Sequence, residues 1–217
     1  MQIEEQLSDF VKSSFGIDGL TFEFIPNLSG AFSNKSKLIK LPKYEEIDEE
    51  KLDILKCLIV HEVCHLKFSD FDFDFDESVA GLKPISLILE DIAVERNMVE
   101  ENPHIIEHLK RLNLSYVYRY FIKNKNYGSM NVDDLCLRKL FTTFSRTEHC
   151  PMAVVKNAVP EQIKELAQEK FMKLRKAIPE AFSLDTRPKT TKACEDLARK
   201  VIDFFGDFEK PSYYFGA

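Results

Sequence analysis

His61-Glu62-Val63-Cys64-His65 places two imidazoles four residues apart with a carboxylate between them. On a helix, residues i and i+4 project from one face, so both rings can reach a single Zn2+ ion. Glu62 then faces the open side of the metal. There it can take a proton from a metal-activated water and return it to a leaving amine. Chance alone yields this pattern in on the order of one in a hundred chains of this size, so its surroundings matter. Leu58, Ile59 and Val60 precede it and make the helix apolar where it carries the histidines. Two solvated histidines would suit a more polar helix.

A zinc site of this kind needs a third protein ligand. The next helical segment, Leu89-Glu90-Asp91-Ile92-Ala93-Val94-Glu95-Arg96, offers three carboxylates. At about 100° per residue, Leu87, Val94, Glu95 and Met98 fall within about 60° of Asp91. Asp91 and Glu95 therefore interrupt an apolar stripe, where unpaired carboxylates are costly. Asp91 is the expected third ligand. Glu95, one turn on, is expected to stand behind the metal and hold a ligand histidine. Glu90, about 100° away, stays open as an alternative ligand. An internal salt bridge, for example to Arg96, is the competing structural reading.

The elements that must position these residues follow from hydrophobic spacing. Residues 3–14 read as a helix ended by Gly16 and Gly19, and Leu20–Ile25 and Ser36–Leu41 as strands. A long helical pattern runs from Ile47 to about Phe68, with Asp48, Glu49 and Glu50 in its first turn. Pro84 and Asn102-Pro103 bracket a helix over 84–101. Further helices are expected over about 104–124, 132–146, 160–178 and 190–205, separated by loops rich in turn formers. The expected fold class is mainly α (α+β), with a small N-terminal sheet, the histidine helix, a ligand helix and C-terminal helices. A boundary near 128–131 would divide a core over 1–128 from a helical part over 129–217, which the spacing also allows to continue that core.

Composition narrows the function classes. The 217 residues carry 30 Lys+Arg against 36 Asp+Glu, a formal charge of −6. That balance, without a long basic stretch, argues against a nucleic-acid surface. Hydrophobic residues make up 44% and include 18 Phe, enough to build a core. No apolar run approaches the roughly 18–20 residues of a membrane span, and the acidic start MQIEEQLSDF is unlike a secretory signal. Five cysteines without a CxxC pair fit a reduced compartment, so cytoplasmic residence is expected. Cys64, inside the histidine motif, and Cys57, one turn earlier, are expected to pack.

HEVCHLKFSDF followed by LEDIAVERNM resembles the zincin-like metallopeptidase domain of the cobaltochelatase-subunit type. Relatives of that domain occur in phage and bacterial proteins and beside von Willebrand factor A modules. In that group a helix with Asp and, four residues on, Glu or Asn follows the HExxH helix, and Asp91 and Glu95 match. Residues 30–42, GAFSNKSKLIKLP, are similar to the strand such domains place before that helix. The likeness spans about residues 30–102. It implies a zincin-like core and a zinc-dependent peptidase acting on a peptide or protein substrate, in host cytoplasm if phage-encoded. It equally allows a catalytically silent, metal-stabilised adaptor for a protein partner such as an AAA+ ATPase. No DxSxS sequence marks an attached von Willebrand module. Zincins often steady an oxyanion with His, Tyr or Arg; His104, His108, Tyr116, Tyr118, Tyr120 and Arg96 are the candidates, and His149 is the other histidine outside the motif. The alternating stretch Asp70 to Asp76 reads as a solvated acidic face over phenylalanines or as an edge strand.

Overall fold

In a computed structural model, residues 3–28, 30–117, 132–133, 136–137, 140, 161–183 and 186–206 are described, with side chains only to residue 112 in the second segment. The protein is mainly helical with a small three-stranded sheet. Helix α1 (Ile3–Phe15) leads into strand β1 (Thr21–Ile25), a two-residue strand β2 (Phe32–Ser33) and strand β3 (Leu38–Pro42). β3 is central: β1 pairs with it in parallel, Thr21 opposite Leu38, and β2 antiparallel, Phe32 opposite Lys40. The second strand begins later than its sequence pattern predicts. The Asn34 side chain accepts from the amides of Ser36 and Leu38, and Lys37 takes a left-handed φ of 58°. Residues 34–37 are thereby spent on a turn.

Helix α2 (Glu49–Phe68) starts where Asp48 accepts from the Lys51 amide at 2.8 Å. It carries both histidines. Helix α3 (Leu82–Glu101) begins two residues before the expected position because Gly81, at φ 79°, turns the chain into it. Pro84 then sits in the first turn, where no intrahelical donor is needed. The predicted helix from 104 is in fact a 3-10 turn (Pro103–Ile105) followed by α4 (Ile106–Val117); residues 118–124 lie outside the described part. Helices α5 (Glu161–Ala177) and α6 (Thr191–Phe205) follow, close to their expected limits, with a 3-10 turn at Pro179–Phe182 between them. Of the expected helix 132–146, the described residues Val132, Asp133, Cys136, Leu137 and Leu140 are helical.

Two apolar clusters organise these elements. One joins Leu7, Val11, Ile39 and Leu41 to Leu55, Ile59 and Val63 of α2 and to Val94 and Met98 of α3. The other joins Leu82, Ile85, Leu89 and Ala93 of α3 to Leu137, Leu174, Leu197 and Val201. Helix α3 thus serves both, the N-terminal half in one and the C-terminal half in the other. Asp91 falls at the changeover. The expected boundary at 128–131 lies outside the described residues. Among the described residues, no helix is long and apolar enough to cross a membrane.

Residues 70–76 do not form the edge strand their alternation allowed. They run through turns, with the Asp72 amide donating to the Asp70 carboxylate at 3.0 Å. Phe73 and Phe75 meet edge-on at 5.0 Å. Asp72 pairs with Lys35, and Asp76 with Arg199 at 2.8 Å. Two of the four aspartates are therefore neutralised within the fold.

Candidate metal centre

The periodicity of α2 sends Leu58, Ile59, Val60 and Val63 into the core, which leaves His61 and His65 on the face that meets α3. Their rings lie edge to face with centroids 4.8 Å apart, and their Nε2 atoms are separated by 3.2 Å. Asp91 Oδ1 of α3 stands 3.1 Å from His65 Nε2. One ligand atom each from His61, His65 and Asp91 falls within 4.8 Å of the others, and the group could hold a metal ion.

The donor chemistry fits a cation. Glu95 Oε1 lies 2.9 Å from His61 Nδ1; a carboxylate oxygen accepts, so Nδ1–H donates, and once the ring is neutral the Nε2 lone pair faces inward. His65 Nδ1 lies 2.7 Å from Ser69 Oγ, a hydroxyl able to accept its proton and free Nε2 in the same way. With the rings so oriented, two imidazole nitrogens and a carboxylate oxygen converge, a set held together by protons in the free protein and able to exchange them for a cation. Tetrahedral ligands at about 2.0–2.1 Å from zinc are about 3.3 Å apart, and the observed 3.2 and 3.1 Å separations match that edge.

The surroundings raise the local affinity for positive charge. Burial pulls the proton affinity of His61 down, but the hydrogen bond to Glu95 and the charges of Asp91, Glu95 and Glu62 outweigh it, and its pKa rises to about 10. Burial pushes the Asp91 carboxyl up, and the His65 hydrogen bond with the charges of both histidines overcomes this, leaving it below the usual range. Asp91 remains 47% exposed at the rim, whereas the side chains of His61, His65 and Glu95 are only 12–18% exposed.

No family model, curated protein or solved structure matches this chain.

Of the residues singled out in the sequence, His61, His65 and Asp91 come together, and Glu95 lies behind His61 as the spacing suggested. Glu62 is buried on the same helix, its charge felt by His61, and its carbonyl meets Ser33 Oγ of β2 at 3.5 Å. Glu90 does not join the group. It turns toward α6 and accepts from the Thr191 hydroxyl. Cys64 is fully buried, donates to the Val60 carbonyl at 3.1 Å and is held protonated by burial and the charges of Glu95 and Glu62. Cys57 packs too, its thiol pushed up to about 11 by burial.

The oxyanion candidates fare less well. His108 stacks at 5.5 Å from Phe10, away from the histidine pair, and burial lowers its proton affinity. His104 is exposed on the turn after α3, and Arg96 is buried. The side chain of Tyr116, and the whole of Tyr118, Tyr120 and His149, lie outside the described part. Sequence reasoning missed Ser69. Its signal was available: a hydroxyl four residues after His65 at the helix end, where it caps α2 with its amide bonded to the His65 carbonyl at 2.9 Å.

Proposed function

We propose that the chain is a zinc-dependent metallopeptidase with a zincin-like core, in which His61, His65 and Asp91 hold the metal and Glu62 is the general base and acid. The convergence of two imidazole nitrogens and one carboxylate oxygen, with the two separations at His65 close to a tetrahedral edge and all three within 4.8 Å, supports this reading. An N2O donor set of this kind suits zinc. A bound zinc ion supplies Lewis acidity, polarising a carbonyl and lowering the pKa of water.

The remaining chemistry belongs to the chain. Glu95 fixes the tautomer and plane of His61, and Ser69 holds His65. The Glu62 carboxylate, on the helix that carries both histidines, accepts a proton as a nucleophile forms and returns it to the leaving nitrogen. The short strand β2, packed beside Glu62, bounds the site on the sheet side. The expected substrate is a peptide or protein segment.

Elemental analysis of the purified chain beside a His61→Ala/His65→Ala double variant tests the metal. About one zinc per chain, lost in the double variant, is the expected result. Metal-free wild type after chelator-free purification would exclude the centre. Glu62→Gln should retain zinc and lower hydrolysis by about 10²–10⁴-fold; undiminished turnover would remove Glu62 from the mechanism.

Two observations favour a second reading. A cavity of about 680 Å³, bounded by Phe15, Leu20, Leu66 and Met98, is lined by none of His61, Glu62, His65 and Asp91. Glu62 itself is only 5% exposed. Both features suit a metal-stabilised adaptor that docks a protein partner, such as an AAA+ ATPase, and cleaves nothing. Equal partner capture by wild type and Glu62→Gln, without cleavage by either, would favour the adaptor.

A further inference from the structure

One buried hydroxyl of the last described helix bonds to two segments that adjoin the metal centre. Thr191 is the first residue of α6 and is 2% exposed. Its hydroxyl donates to Glu90 Oε1 and accepts from the Asp70 amide at 2.9 Å. Neither role can be exchanged, because a carboxylate oxygen only accepts and an amide N–H only donates. Helix capping does not occupy this hydroxyl. The preceding residue, Thr190, is the cap and accepts from the Ala193 amide at 3.3 Å.

Both partners adjoin the centre. Glu90 immediately precedes Asp91 on α3. Asp70 immediately follows Ser69, whose hydroxyl meets His65 Nδ1 at 2.7 Å. We propose that Thr191 is a positioning residue for the metal centre, fixing through one buried hydroxyl both the Asp91 segment of α3 and the Ser69 segment that holds His65. This rests on the metal-centre reading above. Two of the three candidate ligands are set this way; the third, His61, depends on Glu95 instead.

The rest of the α6 face supports the assignment. Glu195 and Arg199 follow at i+4 and i+8 and so share that face. Glu195 accepts from the Asp76 amide at 3.2 Å, and Arg199 donates to the Asp76 carboxylate at 2.8 Å. They hold the far end of the same loop and touch none of the three ligands. Thr191 alone in this row reaches residues next to the ligands. Without its hydroxyl, Glu90, only 5% exposed, would lose a hydrogen bond inside the protein. A buried carboxylate that loses its partner is costly, and any turn of α3 that relieved the cost would displace Asp91, the next residue, as well.

The test is chelator-competition titration with Zn2+ and with Co2+, whose visible spectrum reports ligand geometry. Thr191→Val and Thr191→Ala each remove the hydroxyl, Thr191→Ser keeps it, and Thr190→Ala removes only the helix cap. Loss of the hydroxyl should weaken metal binding by about tenfold, the lower end for groups that support ligands, and should shift the Co2+ bands. Thr191→Ser should restore both, and Thr190→Ala should leave both unchanged. Wild-type affinity and spectrum in whichever of Thr191→Val and Thr191→Ala keeps native circular dichroism would overturn the proposal. Failure of Thr191→Ser to restore binding would overturn it as well. A wild-type chain that takes up neither metal would overturn the metal centre itself, and this role with it.

Discussion

His61 and His65 sit one turn apart on the same helix, yet they are held by different chemistry. His61 is backed by Glu95, a carboxylate on α3 whose side chain is 12% exposed. His65 is backed by Ser69, a hydroxyl where α2 ends. A carboxylate oxygen only accepts, so it locks one tautomer of His61; a hydroxyl accepts or donates, so it tolerates either tautomer of His65. The first arm is rigid in its proton assignment, and its carboxylate belongs to a helix that Val94 and Met98 anchor in the core. The second depends on where the chain goes after residue 68. A metal site built this way would have one histidine whose tautomer is preset and one whose tautomer adjusts to the ion.

The largest difference should come from cutting the rigid arm. Glu95→Ala leaves the His61 N–H without its partner and should weaken zinc binding about 100-fold. Glu95→Gln, which retains an acceptor oxygen, should cost about tenfold. Isothermal titration of both variants checks the order; equal effects would mean that charge and not tautomer locking is what Glu95 supplies.

Proton linkage separates the arms further. The folded pKa of His61 is raised to about 10 from an ordinary 6.5. Its charge therefore stabilises the metal-free fold fully below about pH 6.5, and that contribution fades as pH rises through about 10. Zinc uptake at pH 8 should accordingly expel about one proton, visible as a binding heat that depends on the ionisation enthalpy of the buffer. Glu95→Gln should reduce that release and Ser69→Ala should leave it intact. The same release in both variants would detach the shifted group from Glu95.

Cutting the adjustable arm should cost less. Ser69→Ala removes one hydroxyl at a helix end and should weaken zinc binding by about tenfold or less, the bottom of the range for such partners. An effect larger than that of Glu95→Ala would invert the comparison and make the helix end the dominant support.

The rigid arm was readable from the sequence and the adjustable arm largely was not, for physical reasons. His61, His65, Asp91 and Glu95 lie on two long helices whose apolar spacing narrows which faces can meet. Glu90 stayed ambiguous because α3 is apolar on two sides, one for each cluster, and rotation about the helix axis cannot tell which side faces the metal. Strand β2 has two residues, too few for any alternation to show. The Asp-Phe alternation after α2 left an edge strand open, and none forms because Asp70 and Asp76 satisfy nearby amides within turns, which compete with strand pairing. Thr191 lies 121 residues from Asp70, and nothing local distinguishes it from Thr190 beside it.

The smallest effect is also the sharpest discriminator between the arms. If Ser69 and Thr191 act on one segment, removing either already loosens His65, and removing the second adds little. Ser69→Ala combined with Thr191→Val should therefore fall short of additivity by about 0.5 kcal/mol or more, as residues sharing a network do. Glu95→Gln combined with Thr191→Val should add within about 0.3–0.5 kcal/mol, as independent sites do. Zinc affinities from the two cycles check this directly. Additivity in the first cycle would show that Thr191 reaches the centre through Glu90 alone. Coupling in both would mean that α3 moves as one body, so that the carboxylate behind His61 and the hydroxyl behind His65 are set by the same helix.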